Sequence, residues 1–403
     1  MRRRVKITGI GPVTPAGIGR ESFFRGINEP ISRVRRVQKL EEKGEFIAAE
    51  VPGFKLTDWF PVGAMESNFK RLPRHTQFAL AGAALALQDA RLTSALLQGK
   101  NPVILNGSSL MDVELFYKTF HGVATKGPRY ANPTVVFEAP PISVAGHIAD
   151  WLDVPSRIIA LQTACCSGID AIGHGYEMVA SGQAEVAICC GTEAPILYQP
   201  MLELGMTKLS PQNSNDPATM CRPFDLWRST GVIGEGAAVV VLEADSSPRS
   251  AYAWITGYAY ANDTTDVSGG GLIETMRMAL ANARRNPADV DFINAWGPGH
   301  EHIDRVEAQC LTEMFGRRVS EIAAVSLKGA IGNPLGAAGA IQTASTALTF
   351  QTGIVPPTVN WQTPDPDCAL NLSSVARHLQ PHVAIVNAHG LSGSNATLVL
   401  EAT

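Results

Sequence analysis

No stretch of this chain reaches the ~18 consecutive apolar residues that a bilayer-spanning helix needs, so no transmembrane segment is expected. Blocks of like charge are also scarce. Outside Met1-Arg2-Arg3-Arg4 and Arg33 to Lys39 the basic residues are scattered, and a net charge of −4 with pI near 6.2 offers no footprint for nucleic acid. The start of the chain runs directly into Val5-Lys6-Ile7-Thr8-Gly9-Ile10-Gly11, a strand and glycine turn without the apolar core of a signal peptide. The seven cysteines are odd in number, include two adjacent pairs and follow no disulfide spacing, so a reducing cytoplasm is expected. Metal ligands do not cluster either. Cys189-Cys190 lies inside an apolar run and His300-Glu301-His302 has no obvious partner ligands, so no metal is expected. Gly9-Ile10-Gly11-Pro12 lacks the later glycine and the acidic residue of a dinucleotide fingerprint, which leaves a tight turn after the first strand.

What is present is a chain of 403 residues, 45% hydrophobic, long enough for two domains or a fused pair. Short apolar runs of strand character alternate with helical patterns from end to end. The alanine- and leucine-rich segment Arg74 to Ala90 predicts a helix, and Pro102 to Ser109 and Ala184 to Gly191 predict buried strands. Residues 110–142 and 197–230 read as long irregular connections, of the kind that more often bind than fill. A short polar segment, Asp245 to Arg249, marks a boundary between residues 1–245 and 246–403. The second half repeats the alternation without any residue-level repeat, so the expectation is α/β layers with largely buried sheets and, at most, a structural duplication.

One turn stands out. The apolar run Arg157 to Leu161 breaks at Thr163-Ala164, and an amphipathic helical pattern begins within two residues of Cys165. Unpaired amides at a helix start favour an anion, so the arrangement predicts a thiol with a depressed pKa and a nucleophilic role. The alternative is that Cys165 and Cys166 are small buried apolar fillers.

Thr163-Ala164-Cys165-Cys166-Ser167-Gly168 resembles the nucleophile motif of the β-ketoacyl-acyl-carrier-protein synthases, in the thiolase superfamily. Four further segments stand in matching order: Gly191-Thr192-Glu193-Ala194, Arg222-Pro223-Phe224-Asp225, Gly234-Glu235-Gly236-Ala237 and Gly332-Asn333-Pro334-Leu335-Gly336-Ala337-Ala338-Gly339. Asn387-Ala388-His389-Gly390-Leu391-Ser392-Gly393-Ser394-Asn395 completes the set. The resemblance implies a thiolase-like fold of two fused α-β-α-β-α halves with five-stranded mixed sheets. It also implies a two-fold dimer, homomeric or with another ketosynthase-like subunit, joined through the strand near Ala184 to Cys190. By this resemblance Cys165 takes an acyl group from the phosphopantetheine of an acyl carrier protein or from coenzyme A, with no permanently bound cofactor. The amides of Cys165 and Leu391 then form an oxyanion hole.

The same resemblance shows what has been exchanged. The family's first active-site histidine reads as Trp296, and the two threonines that hold the pantetheine arm read as Pro298 and His300. The second histidine reads as Asn333. Lys328 is kept, but its usual acidic companion reads as Gln342. Asn333 can still donate through its amide, whereas Trp296 has one indole N–H and no proton-relay capacity. Losing one oxyanion donor costs on the order of 10²-fold in rate, so ordinary decarboxylative condensation is expected to be impaired. His389 stands where the family has phenylalanine, and is either a displaced general base or a satisfied core histidine; Leu391 replaces a gate phenylalanine. The expectation is an acyltransferase of fatty-acid or polyketide type that loads Cys165 and transfers or atypically condenses the acyl group. Alternatives are a non-condensing, chain-length-factor-like partner subunit and a hydrolase of misloaded chains.

Overall fold

The apolar runs become strands buried on both faces, because helices cover each side of the sheet they form. The computed structural model describes residues 2–60, 72–110, 112–211, 214–263 and 269–403. In the first half the main strands are β1 (Val5–Thr14), β2 (Val103–Gly107), β3 (Arg157–Leu161), β4 (Val186–Glu193) and β5 (Gly236–Ala244). In the second they are β6 (Ala253–Asn262), β7 (Phe292–Asn294), β8 (Ala323–Val325), β9 (Val383–His389) and β10 (Ser394–Glu401). Hydrogen bonding runs β8-β7-β9-β10-β6-β1-β5-β4-β2-β3, and the halves meet where Val5–Ile7 pairs antiparallel with Ala253–Ile255. Each half therefore orders its strands first, fifth, fourth, second, third. The last strand of each is antiparallel to both its neighbours and the other pairings are parallel. The duplication that the residues conceal is explicit in the topology.

The main helices are α1 (Arg74–Asp89), α2 (Val113–Lys126), α3 (Ile142–Leu152), α4 (Ser167–Ala180), α5 (Tyr198–Met206), α6 (Gly270–Ala283), α7 (Glu301–Phe315) and α8 (Ala338–Thr352). Alternation along β5 sends Val239 and Val241 to an outer core with Phe78 and Ile148 of α1 and α3. Ala238, Val240 and Leu242 go to a central core with α4 and α8. Along β9, Val383 and Ile385 face an outer core with α6 and α7, while Ala384 and Val386 face the same centre. The result is five layers, with α4 and α8 sandwiched between the two sheets. This position explains α8, a helix of small and hydroxylated residues buried from Ala338 through Phe350, with no polar face. Close approach of the pair requires glycine: a Cβ on Gly168 would meet the Gly336 carbonyl oxygen at 2.6 Å. Among the described residues no helix is long and apolar enough to cross a membrane.

Three expectations are corrected. Residues 110–142 are not an irregular connection, since α2 and the start of α3 lie there; α2 buries none of its side chains and so carries no core pattern to read. The 197–230 stretch begins with α5 before becoming loop. The strand near Ala184 to Cys190 cannot join a dimer through its edge, because β4 is bonded on both sides, by β2 and β5. The strand at that end of the sheet is β3 instead, with Ile158 41% exposed.

Candidate active site

Cys165 sits on a tight turn, Ala164–Cys166, that links β3 to α4. Ala164 is held at φ +52°, a left-handed conformation that costs an alanine roughly 1–2 kcal/mol. The turn is braced locally and from the other half of the molecule. Ser167 Oγ donates to the Ala164 carbonyl at 2.6 Å and accepts the Thr163 N–H at 2.9 Å. Ser394 Oγ donates to the Thr163 carbonyl at 3.1 Å, and Cys166 Sγ donates to the carbonyls of Ala388 and Ser394. Cys166 is thus a buried anchor.

The backbone amides of Cys165 and Leu391 both act on the Cys165 sulfur in the direction that favours its charged form. Leu391 reaches it from the turn after β9, with its own side chain 59% exposed. The thiol itself departs from expectation. Burial pushes Cys165 up to about 12, with the charge of Glu193 adding to the effect, and Lys328 and the two amides only partly opposing it. Position at a helix start does not overcome desolvation, and the resting group is a thiol.

Cys165 opens onto a cavity of about 240 Å³. Trp296, Pro298, His300, Asn333, His389 and Leu391 line it, so the structure assembles these sequence-predicted residues around one space. Leu204, Leu209, Ile303 and Val306 make most of the remaining wall apolar. Lys328 stands behind it. Its ammonium lies 4.4 Å from the Trp296 ring centroid and donates to Gln342 Oε1 at 2.8 Å, and burial drives it down to about 7. Asn333 Oδ1 accepts the Leu335 N–H at 3.2 Å, and its NH₂ has no partner among the described residues. His300 caps α7, its Nδ1 accepting from the amides of His302 and Ile303. It also borders a second, more open chamber of about 710 Å³ with Lys208, His302 and Arg305. His389 Nδ1 is 2.6 Å from Asn395 Oδ1.

Sequence reasoning missed two buried acids on α7. Glu307 accepts the N–H groups of Trp296 and Gly297, both at 2.8 Å, and lines the cavity. Asp304 accepts those of Phe224 at 2.7 Å and Gly299 at 3.0 Å, and burial raises it to about 7. Together they pin the loop that carries Trp296, Pro298 and His300. The signal was available: two carboxylates three apart on the helix face that also carries Ala308 and Leu311.

A cysteine on a strained strand-to-helix turn, at the junction of two topologically duplicate halves, is set on a thiolase-like fold. The chain belongs to the β-ketoacyl synthase family: the β-ketoacyl synthase N-terminal domain matches residues 2–247 and the C-terminal domain residues 252–362. It is 30% identical to the tetracenomycin polyketide synthase ketoacyl synthase alpha subunit of Streptomyces glaucescens, over 99% of this chain and 97% of that one. It is likewise 30% identical to 3-oxoacyl-[acyl-carrier-protein] synthase 2 of Staphylococcus aureus, over 99% and 98% of the two chains. Among solved structures, a β-ketoacyl synthase from Burkholderia phymatum superposes over all of both chains with TM-score 0.90 at 26% identity. The ishigamide ketosynthase/chain length factor does so with TM-score 0.89, also at 26% identity over all of both chains.

Proposed function

We propose that this ketosynthase-like protein of fatty-acid or polyketide-type synthesis is an acyltransferase that carries its acyl group as a thioester on Cys165. The donor is the phosphopantetheine thioester of an acyl carrier protein or of coenzyme A. The observation that carries the reading is that Cys165, on its strained turn, opens with Leu391 onto an apolar cavity, and the amides of both residues favour a charged sulfur. In that reading residues 1–245 supply the nucleophile and residues 246–403 the exchanged malonyl and pantetheine positions, Trp296, Pro298, His300 and Asn333. The sulfur attacks the donor carbonyl, its oxygen takes the two N–H bonds, and the pantetheine C–S bond breaks as the released thiol gains a proton. Each such donor is typically worth about 3 kcal/mol of barrier. Chain transfer then follows a route other than ordinary malonyl decarboxylation, because Trp296 and Asn333 replace the histidines.

Intact-protein mass spectrometry with acyl-carrier and acyl-coenzyme A donors tests this. The expected result is a single acyl adduct that is absent from Cys165→Ala; no Cys165-dependent adduct across donors of several lengths would overturn it.

A second reading, a non-condensing partner subunit, is favoured by one feature of the surface. The end strand β3 exposes Ile158, and α2 and the segment after it expose Phe120 (76%) and Phe137 (73%), apolar surface suited to a second ketosynthase-fold chain. Co-expression with a ketosynthase, followed by native mass measurement, separates a heterodimer from a homodimer.

A further inference from the structure

His389 is more than a wall of the cavity. Asn395 donates both amide hydrogens, to Asp263 Oδ1 at 3.1 Å and to the Gly393 carbonyl at 3.0 Å, which leaves its Oδ1 as the atom facing His389 Nδ1 at 2.6 Å. An amide oxygen only accepts, so Nδ1 carries the ring proton. The free nitrogen is Nε2, a lone pair with no partner among the described residues, on a side chain that lines the cavity holding Cys165. Asp263 is itself fixed, accepting the Gly271 N–H at 2.8 Å, and its other oxygen lies 3.9 Å from Nδ1. This orienting chain of Asp263, Asn395 and His389 sets the tautomer a general base requires.

Resting on the acyl-Cys165 reading, we propose that His389 Nε2 is the general base for a neutral alcohol acceptor, so that the enzyme makes an ester. The hydroxyl proton passes to Nε2 as the oxygen attacks the acyl carbonyl and the C–S bond breaks. The proton then returns from Nε2 to the departing sulfur, restoring the Cys165 thiol and releasing an oxygen ester. No other reactant enters. A thiol held up at about 12 is a poor leaving group unless a proton is delivered to it, which suits this cycle. The walls select the acceptor. Leu204, Leu209, Ile303 and Val306 would force an ammonium to shed its hydration, whereas an alcohol enters neutral. A malonyl-derived carbanion would find Trp296 and Asn333 in place of two imidazoles.

The test uses the full chain, loaded on Cys165 with p-nitrophenyl butanoate, freed of reagent and mixed with 1-butanol. Decay of the acyl-enzyme is followed by intact mass and the product by chromatography. Wild type is expected to yield butyl butanoate, with His389→Phe and His389→Gln slowed ~100-fold while keeping the wild-type melting temperature. Glutamine retains a donor for Asn395 but no base, so it guards against a loss due only to misfolding in the phenylalanine variant. Equal decay in wild type and both variants, or free butanoic acid without ester, overturns the proposal and leaves the acyl-enzyme reading standing. Failure of wild type to acquire any Cys165 adduct instead removes the acyl-enzyme reading, and the proposal with it.

Discussion

The Lys328 ammonium lies 4.4 Å above the ring of Trp296, buried, with a neutral amide oxygen from Gln342 as its hydrogen-bond acceptor. A cation so placed gains from the indole face and from Glu307, yet desolvation dominates, and the group falls from 10.5 to about 7.

This gives stability a pH signature. Between about 7 and 10.5 the unfolded lysine binds a proton that the folded one has released, so unfolding takes up protons and stability rises with pH. The buried thiols act in the opposite sense above the ordinary cysteine range, which confines a clean reading to pH 7–9. Over that window wild type should gain about 2 kcal/mol relative to Lys328→Met, measured by urea unfolding at each pH. A constant difference would mean that the lysine keeps its ordinary affinity for protons.

The proposal that Trp296 and Asn333 stand in place of two active-site histidines gives a second expectation. Wild type should release little carbon dioxide from malonyl-acyl-carrier protein, and Trp296→His/Asn333→His should raise that release by at least ~10-fold. Trp296 is almost fully buried, so the double variant should also melt lower. Radiolabelled carbon dioxide measures the first effect and calorimetry the second.

Packing of the central helices predicts a third. Gly168→Ala places a methyl group 2.6 Å from the Gly336 carbonyl oxygen, a backbone atom that cannot swing away. Destabilisation of ~1–3 kcal/mol is expected, seen as a lower urea midpoint with little change in slope. Because Gly168 lies in the first turn of α4, Cys165 acylation should slow as well.

The exposed β3 face predicts association. Light scattering behind a sizing column should report twice the chain mass, and Ile158→Asp in the end strand should give the monomer. A wild-type monomer at micromolar concentration would overturn this expectation.

The sequence by itself determined the alternation of strands and helices, the turn at Cys165 and, through its motifs, six of the other residues that line the cavity. Such features follow from local periodicity and from motifs whose order along the chain needs no knowledge of distant contacts. Tertiary structure decided the rest. Helix position suggested an ionised thiol, but the protonation of Cys165 depends on how completely neighbours from both halves exclude water. The edge of the first sheet passed from the strand near Ala184 to β3, since apolar content cannot say which strand lies last. Helix α2 was hidden because none of its side chains is fully buried, and Phe116, Tyr117 and Phe120 face outward. Glu307, Asp304 and the Asp263, Asn395 and His389 chain likewise acquire meaning only when folding brings carboxylates beside loop amides and an imidazole, since a buried polar group is defined by the partner that satisfies it.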